Sequence, residues 1–393
     1  MTHPIHDVSA SYANASRPHV SEWFGHRVFP IVSGSSEALS DQVSHRCPFL
    51  TKALGSSQRC VKSDEDREDR RNSAGVCTIS SVSNGPRQDW LVCPFRALDD
   101  NLLEEMVRRL FSVDDNHTVV IQAAPVLENP EVRDQTLAGL SDPNVRTFVY
   151  FQGKLGGEIG LPKTSGSPAV SFDVTVAEII QSDEQSLIGT GIPGENIALG
   201  KYGVIELQTT DTHGSYKATV NGLTNALSLH PNEFHAQLAN NPQWAGNKVE
   251  GPNVSNVFKR TFYQVAFKFQ ATKRSSSVGC ILVLPKPVWD SWQPFLGAPT
   301  VNLMQDGTYR LLDDETIDPS DWIYVFDVGA HPSAGGPAPL AVDMVLGTNA
   351  ATLSKAALEI APRKAVEGQG ANDAVKAALL KRLRANLPGL DRL

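Results

Sequence analysis

The feature that most constrains this chain is a series of short apolar runs separated by helical or turn-rich stretches. Runs with strand character fall at 118–121, 147–151, 170–176, 202–208, 278–284 and 322–326. Residues 100–111 carry Leu102, Leu103, Met106, Val107 and Leu110 at the three-and-four spacing of a helix face. Strands interleaved with helices in this way predict an α/β fold on a mixed sheet. A length of 393 residues allows two or three domains and a sizeable core. The expected division is a polar lead-in at 1–20, a cysteine-bearing region at 21–99, a main α/β domain at 100–335, and a C-terminal extension at 336–393 that carries a basic helix. The Gly- and Pro-rich stretch 331–339 marks the last boundary.

No apolar run is long enough to span a bilayer, and residues 1–21 lack a basic-then-apolar signal pattern, so the expectation is a cytoplasmic protein without a membrane partner. The net charge of −8 argues against a protein that coats nucleic acid non-specifically. It leaves room for an enzyme with a locally positive groove. The sign-alternating run at 62–71 reads as a solvated loop, and 181–200, with its Gly-Thr-Gly-Ile-Pro-Gly segment, as a long surface loop.

Two strands carry acids where apolar residues are expected. In Val204-Ile205-Glu206-Leu207-Gln208 the period of two puts Glu206 and Gln208 on one face. In 170–176, Phe172, Val174 and Val176 alternate with Ser171, Asp173 and Thr175. Asp173 and Glu206 meet if the two strands are neighbours. A carboxylate and an amide in an apolar strand are costly without a task. Hydrolysis of a phosphodiester supplies one, because magnesium takes one or two carboxylates together with water and phosphate oxygens. The spacing Asp…Glu-x-Gln fits the Asp…Glu-x-(Lys/Gln) pattern of restriction-type nuclease cores, but as a bare pattern it is weak, and a structural edge-strand carboxylate is the commoner source of such spacing.

Four of the five cysteines, Cys47, Cys60, Cys77 and Cys93, lie in the first hundred residues at spacings of 13, 17 and 16. Cys-Pro-Phe occurs twice, at Cys47 and at Cys93. In a reducing compartment such clustering favours a metal over disulfides, but without a Cys-x-x-Cys knuckle free thiols remain an equal reading. Cys280, within an apolar run, reads as a small core residue. The stretch 252–270 predicts a helix with an apolar stripe through Val254, Val257, Phe258, Phe262, Val265 and Phe269. Asn253, Asn256, Lys259, Arg260 and Gln264 lie off that stripe. They form either an ordinary solvated face or a DNA-contacting one, since Arg suits guanine and Asn suits adenine or phosphate.

Several segments closely resemble the NotI-type type II restriction endonucleases: 24–28, 47–50, 60–62, 75–77, 89–94, 154–158, 171–173, 202–208, 213–217 and 250–264. Together they span most of 22–330. The resemblance implies a PD-(D/E)xK restriction-endonuclease-like core with Asp173 and Glu206 holding Mg2+, Gln208 orienting water where most relatives carry Lys, and Glu158 as a further active-site acid. It implies a small N-terminal domain in which Cys47, Cys60, Cys77 and Cys93 hold a structural iron, with zinc as the alternative. It implies a bacterial homodimer cutting both strands of a GC-rich palindrome related to GCGGCCGC, with a cognate DNA methyltransferase in the same cell. His213, Tyr216, Lys217 and Glu250 join the candidate DNA contacts. The loops at 63–71 and 181–200 are larger than the family pattern. A related repair or defence nuclease, and a metal-stapled DNA-binding protein without catalysis, are the competing readings.

Overall fold

The computed structural model describes residues 5–63, 72–82, 85–181, 197–210, 215–312, 318–328, 337–367 and 371–387. Its centre is a nine-stranded mixed sheet, in agreement with the expected α/β class. In spatial order the strands are Asn302–Leu303, Tyr309–Arg310, Leu340–Thr348, Asp321–Val328, Ser277–Pro285, Ile197–Leu207, Val174–Gln181, Val145–Gln152 and Thr118–Ala123. All six expected runs contribute to it. The strand Ser277–Pro285 runs parallel to both neighbours and is buried over its last seven residues, which explains its unbroken apolar sequence. Cys280 lies wholly inside it, as a core residue.

The run 170–176 is not one strand. Val170–Phe172 pairs with Ile159–Leu161 in a separate two-stranded ribbon, whereas Val174–Gln181 joins the main sheet. The chain changes sheets at Asp173. The loop expected at 181–200 is also shorter at its ends: Gln181 pairs with Ile197 and Ile180 with Ala198, so both strands extend into it as a hairpin. Residues 182–196, like 64–71 in the charged run, lie outside the described residues.

The cysteine-bearing region is built on a second, four-stranded antiparallel sheet of His26–Arg27, His19–Trp23, Val76–Val82 and Arg87–Leu91. Trp23, Phe29, Ile79 and Trp90 are fully buried in it. The region therefore has an apolar core of its own, and that core is continuous with the core of the main sheet. Thr210, three residues past the end of the Glu206 strand, donates its N–H to Leu91 O at 2.7 Å. This bond ties the small sheet to the end of that strand.

A buried ion pair locks the same junction. Arg96 donates from Nε and Nη2 to the two carboxylate oxygens of Glu22 at 2.8 and 3.0 Å, and both side chains are almost fully enclosed. Arg96 also bonds Ala338 O and lies over the Phe49 ring. Three distant segments of the chain thus converge on one guanidinium.

The helix Asp100–Leu110 forms as expected, capped by the Asp99 carboxylate on the N–H groups of Asn101 and Leu102. The helix Val254–Ala271 matches the expected span within two residues. A basic helix, Ala371–Asn386, follows near the C-terminus, with Val375, Leu379, Leu380 and Leu383 exposed. Among the described residues, no helix is long and apolar enough to cross a membrane.

Removing the Arg96 guanidinium leaves the Glu22 charge buried and unpaired, which typically costs about 3–5 kcal/mol. Arg96→Ala is expected to lower the free energy of unfolding by roughly that amount in urea denaturation. A change smaller than about 1 kcal/mol, the scale of an exposed pair, would contradict the central place given to this contact.

Candidate active site

Asp173 and Glu206 meet because the two strands that carry them are neighbours. Val174 pairs with Ile205 in antiparallel register, so the next step along the ladder sets Asp173 against Glu206. The strand break at Asp173 fixes the contact. Its side-chain Oδ2 accepts the backbone N–H of Leu207 at 2.9 Å, and its own N–H points to Glu206 Oε1 at 3.4 Å. A carboxylate thus takes the place of a ladder carbonyl, which is why Asp173 ends one strand and begins another.

Glu206 is 5% exposed and Asp173 half-buried. Burial, and then the neighbouring Asp173 carboxylate, push the Glu206 carboxyl up to about 8, against the pull of Lys268. Lys268 is buried on the helix Val254–Ala271 and donates Nζ to Glu206 Oε2. Composition and motif reading passed over this residue. The signal was present: Lys268 shares the apolar stripe of the helix with Val265 and Phe269, and a lysine in a core-facing position requires a partner.

Gln208 lies just beyond the strand, half-buried, with its N–H on Val283 O at 2.8 Å. Its carboxamide donates to Thr209 O and accepts from the Thr261 hydroxyl, one face of the same helix. Two bonded sets therefore lie side by side, Asp173 with Glu206 and Lys268, and Gln208 with Thr261. Glu158 immediately precedes the strand Ile159–Leu161, where Ile159 pairs with Phe172. The ladder direction carries Glu158 toward Asp173, and its side chain is exposed.

The candidate DNA contacts divide. Lys259, Arg260 and Gln264 are exposed on the outer face of the Lys268 helix, Glu250 is exposed just before it, and Asn253 is half-buried. Lys217 is exposed at the start of the helix Lys217–Leu229, while Tyr216 is only 9% exposed, which limits it as a phosphate contact. The side chain of Asn256 and all of His213 lie outside the described residues.

The four N-terminal cysteines are buried free thiols that line one small cavity of about 10 Å3 with Phe24, Lys62 and Phe95. The repeated Cys-Pro-Phe forms two similar turns. Cys47 and Cys93 each precede a proline that opens a short helix, Pro48–Leu54 and Pro94–Ala97. Each receives backbone N–H groups at sulfur, from Leu50 and Phe49 and from Phe95 and Arg96. Burial holds the Cys47 thiol up to about 12 and those of Cys77 and Cys93 above the usual range. Among the described residues, no group of three or more His, Cys, Asp or Glu side chains is arranged to hold a metal ion. The four cysteines singled out in the sequence are thus gathered around one shared cavity.

No family model and no curated protein matches the chain. Glu206 is protonated in the folded, metal-free protein up to about pH 8 and ionised in the unfolded chain above about 4.5. The folded state then binds the extra proton, so stability falls as pH rises through this window. Asp321, which burial pushes up to about 7, contributes in the same direction. Comparison with Glu206→Gln isolates Glu206. In chelator, unfolding midpoints of the wild type are expected to decline between about pH 5 and 8 relative to those of the variant. Parallel curves would refute the raised carboxyl.

Proposed function

We propose that the chain is a magnesium-dependent endonuclease that hydrolyses duplex DNA at a site centred on Asp173 and Glu206. The observation that carries this reading is the convergence of the two carboxylates at the strand break, with Gln208 one alternation beyond Glu206. The repulsion between Asp173 and Glu206 calls for a cation, and two hard oxygen donors suit magnesium. When held by this pair, the ion would neutralise phosphate charge and lower the pKa of water. In the reaction, water attacks phosphorus, a P–O ester bond breaks, and the leaving oxygen takes up a proton. Gln208 orients the water, having an oxygen to accept and an amide to donate but no charge to supply. Lys268 supplies that charge, in place of the lysine that PD-(D/E)xK nucleases of the expected class carry at the Gln208 position. Glu158 approaches from the ribbon as a further acid.

Specificity on this reading comes from the exposed face of the Lys268 helix, where Lys259, Arg260 and Gln264 have the chemistry to read a GC-rich major groove. A palindrome related to GCGGCCGC cut on both strands calls for a two-fold dimer, one chain per strand, and for a methyltransferase that protects the host's own sites. The four thiols serve as a structural iron site, or a zinc site, once their protons are displaced and the sulfurs close on their cavity. The N–H groups aimed at Cys47 and Cys93 support thiolates there.

Two experiments bear on this. Incubation of phage DNA with the protein and magnesium should give discrete fragments. Asp173→Ala and Glu206→Ala should cut at least about a hundredfold more slowly while still binding duplex, since electrostatic stabilisation of this kind is worth two or three orders of magnitude. Near-normal cutting by either variant, or no cutting by the wild type, overturns the assignment. Separately, elemental analysis should find about one iron or zinc per chain, diminished in Cys60→Ser. Metal-free protein of undiminished stability would remove the thiol-site proposal.

A further inference from the structure

The amide of Gln208 is held on both sides. Its nitrogen donates to Thr209 O, which can only accept, so the orientation of the carboxamide is fixed and its oxygen must face the helix. There Thr261 Oγ1 donates to it. Thr261 is 6% exposed and lies seven residues before Lys268 on the same buried helix face. One face of one helix therefore contacts both the amide and the buried acid, Thr261 at Gln208 and Lys268 at Glu206. Arg260, immediately before Thr261, and Gln264, three residues after it, are on the exposed face.

We infer that Thr261 is a positioning residue that sets the Gln208 carboxamide, and that it joins the helix's outer, DNA-facing side to the reacting centre. This rests on the nuclease reading above. A helix placed on DNA by its outer face carries Thr261 with it, and the hydroxyl transmits that placement to the amide that orients water. A misplacement of about 1 Å in such a group can cost a hundredfold in rate. A role limited to packing would be satisfied by any side chain of the same shape.

The test uses the full-length protein and a duplex cut by the wild type. Thr261→Val keeps the shape and loses the hydroxyl, while Thr261→Ser keeps the hydroxyl. Single-turnover cleavage with magnesium and duplex affinity with calcium are measured for each. Thr261→Val is expected to cut at least about tenfold more slowly, with affinity within about threefold of wild type, and Thr261→Ser to recover most of the rate. In a Gln208→Ala background, Thr261→Val should cost no more than about twofold, because the two act through one amide. Wild-type rates in Thr261→Val, equal losses in the Ser and Val variants, or an undiminished loss in the Gln208→Ala background overturn the inference while cutting by the wild type leaves the nuclease reading standing. A wild-type protein that cuts no duplex removes both.

Discussion

The arrangement of this site follows from two carboxylates held together in a largely buried place. Asp173 is pinned by the Leu207 N–H and Glu206 by strand pairing, so neither can relax away from the other. Desolvation and mutual repulsion then raise Glu206, and Lys268 supplies only one positive charge to the pair. A fold that keeps such a cluster carries a standing electrostatic cost, which a cation and a phosphate would offset together. The sheet break, the capture of a buried lysine and the polar network beside it are all consequences of that placement.

The helix Val254–Ala271 gives the cluster its second wall. Its inner face combines core residues, Val257, Phe258, Val265 and Phe269, with two polar ones, Thr261 and Lys268. The apolar residues fix the helix against the sheet, and the polar ones spend that fixed position on the site. Its outer face holds Lys259, Arg260 and Gln264 in solvent. One rigid element thus presents two faces of different composition, and a change on one face is felt on the other only through the body of the helix. The small N-terminal sheet is tied to the Gln208 end of this frame through the Leu91–Thr210 bond, and the Glu22–Arg96 pair is buried beside it.

Much of the frame was legible in the sequence. Alternation located the strands, and the acids that interrupt it, Glu206 and Asp173, marked where the fold would bring chemistry together. Their adjacency depended on a hairpin register that local pattern does not encode, and the strand break at Asp173 was hidden because both halves alternate in phase. Lys268 was missed for a different reason. It belongs to no motif, and its position on the apolar stripe, not its charge, determines where it points. In the cysteine region, the thiol spacing does not reveal that Trp23, Phe29 and Trp90 give the small sheet an apolar core of its own, nor that the four cysteines meet around a common cavity.

The central claim, that Asp173 and Glu206 form a metal centre for phosphodiester hydrolysis, is tested most directly by locating the metal. Crystals of the protein with a duplex, soaked in manganese as a stand-in for magnesium, would be measured for anomalous scattering. A peak is expected within ligand distance of the Asp173 and Glu206 carboxylates and of a phosphate oxygen, about 2.0–2.2 Å from each, with the Lys268 ammonium drawn off Glu206 toward the phosphate. A duplex bound elsewhere on the protein, or a pair of carboxylates still closed on Lys268 with no peak between them, would contradict it.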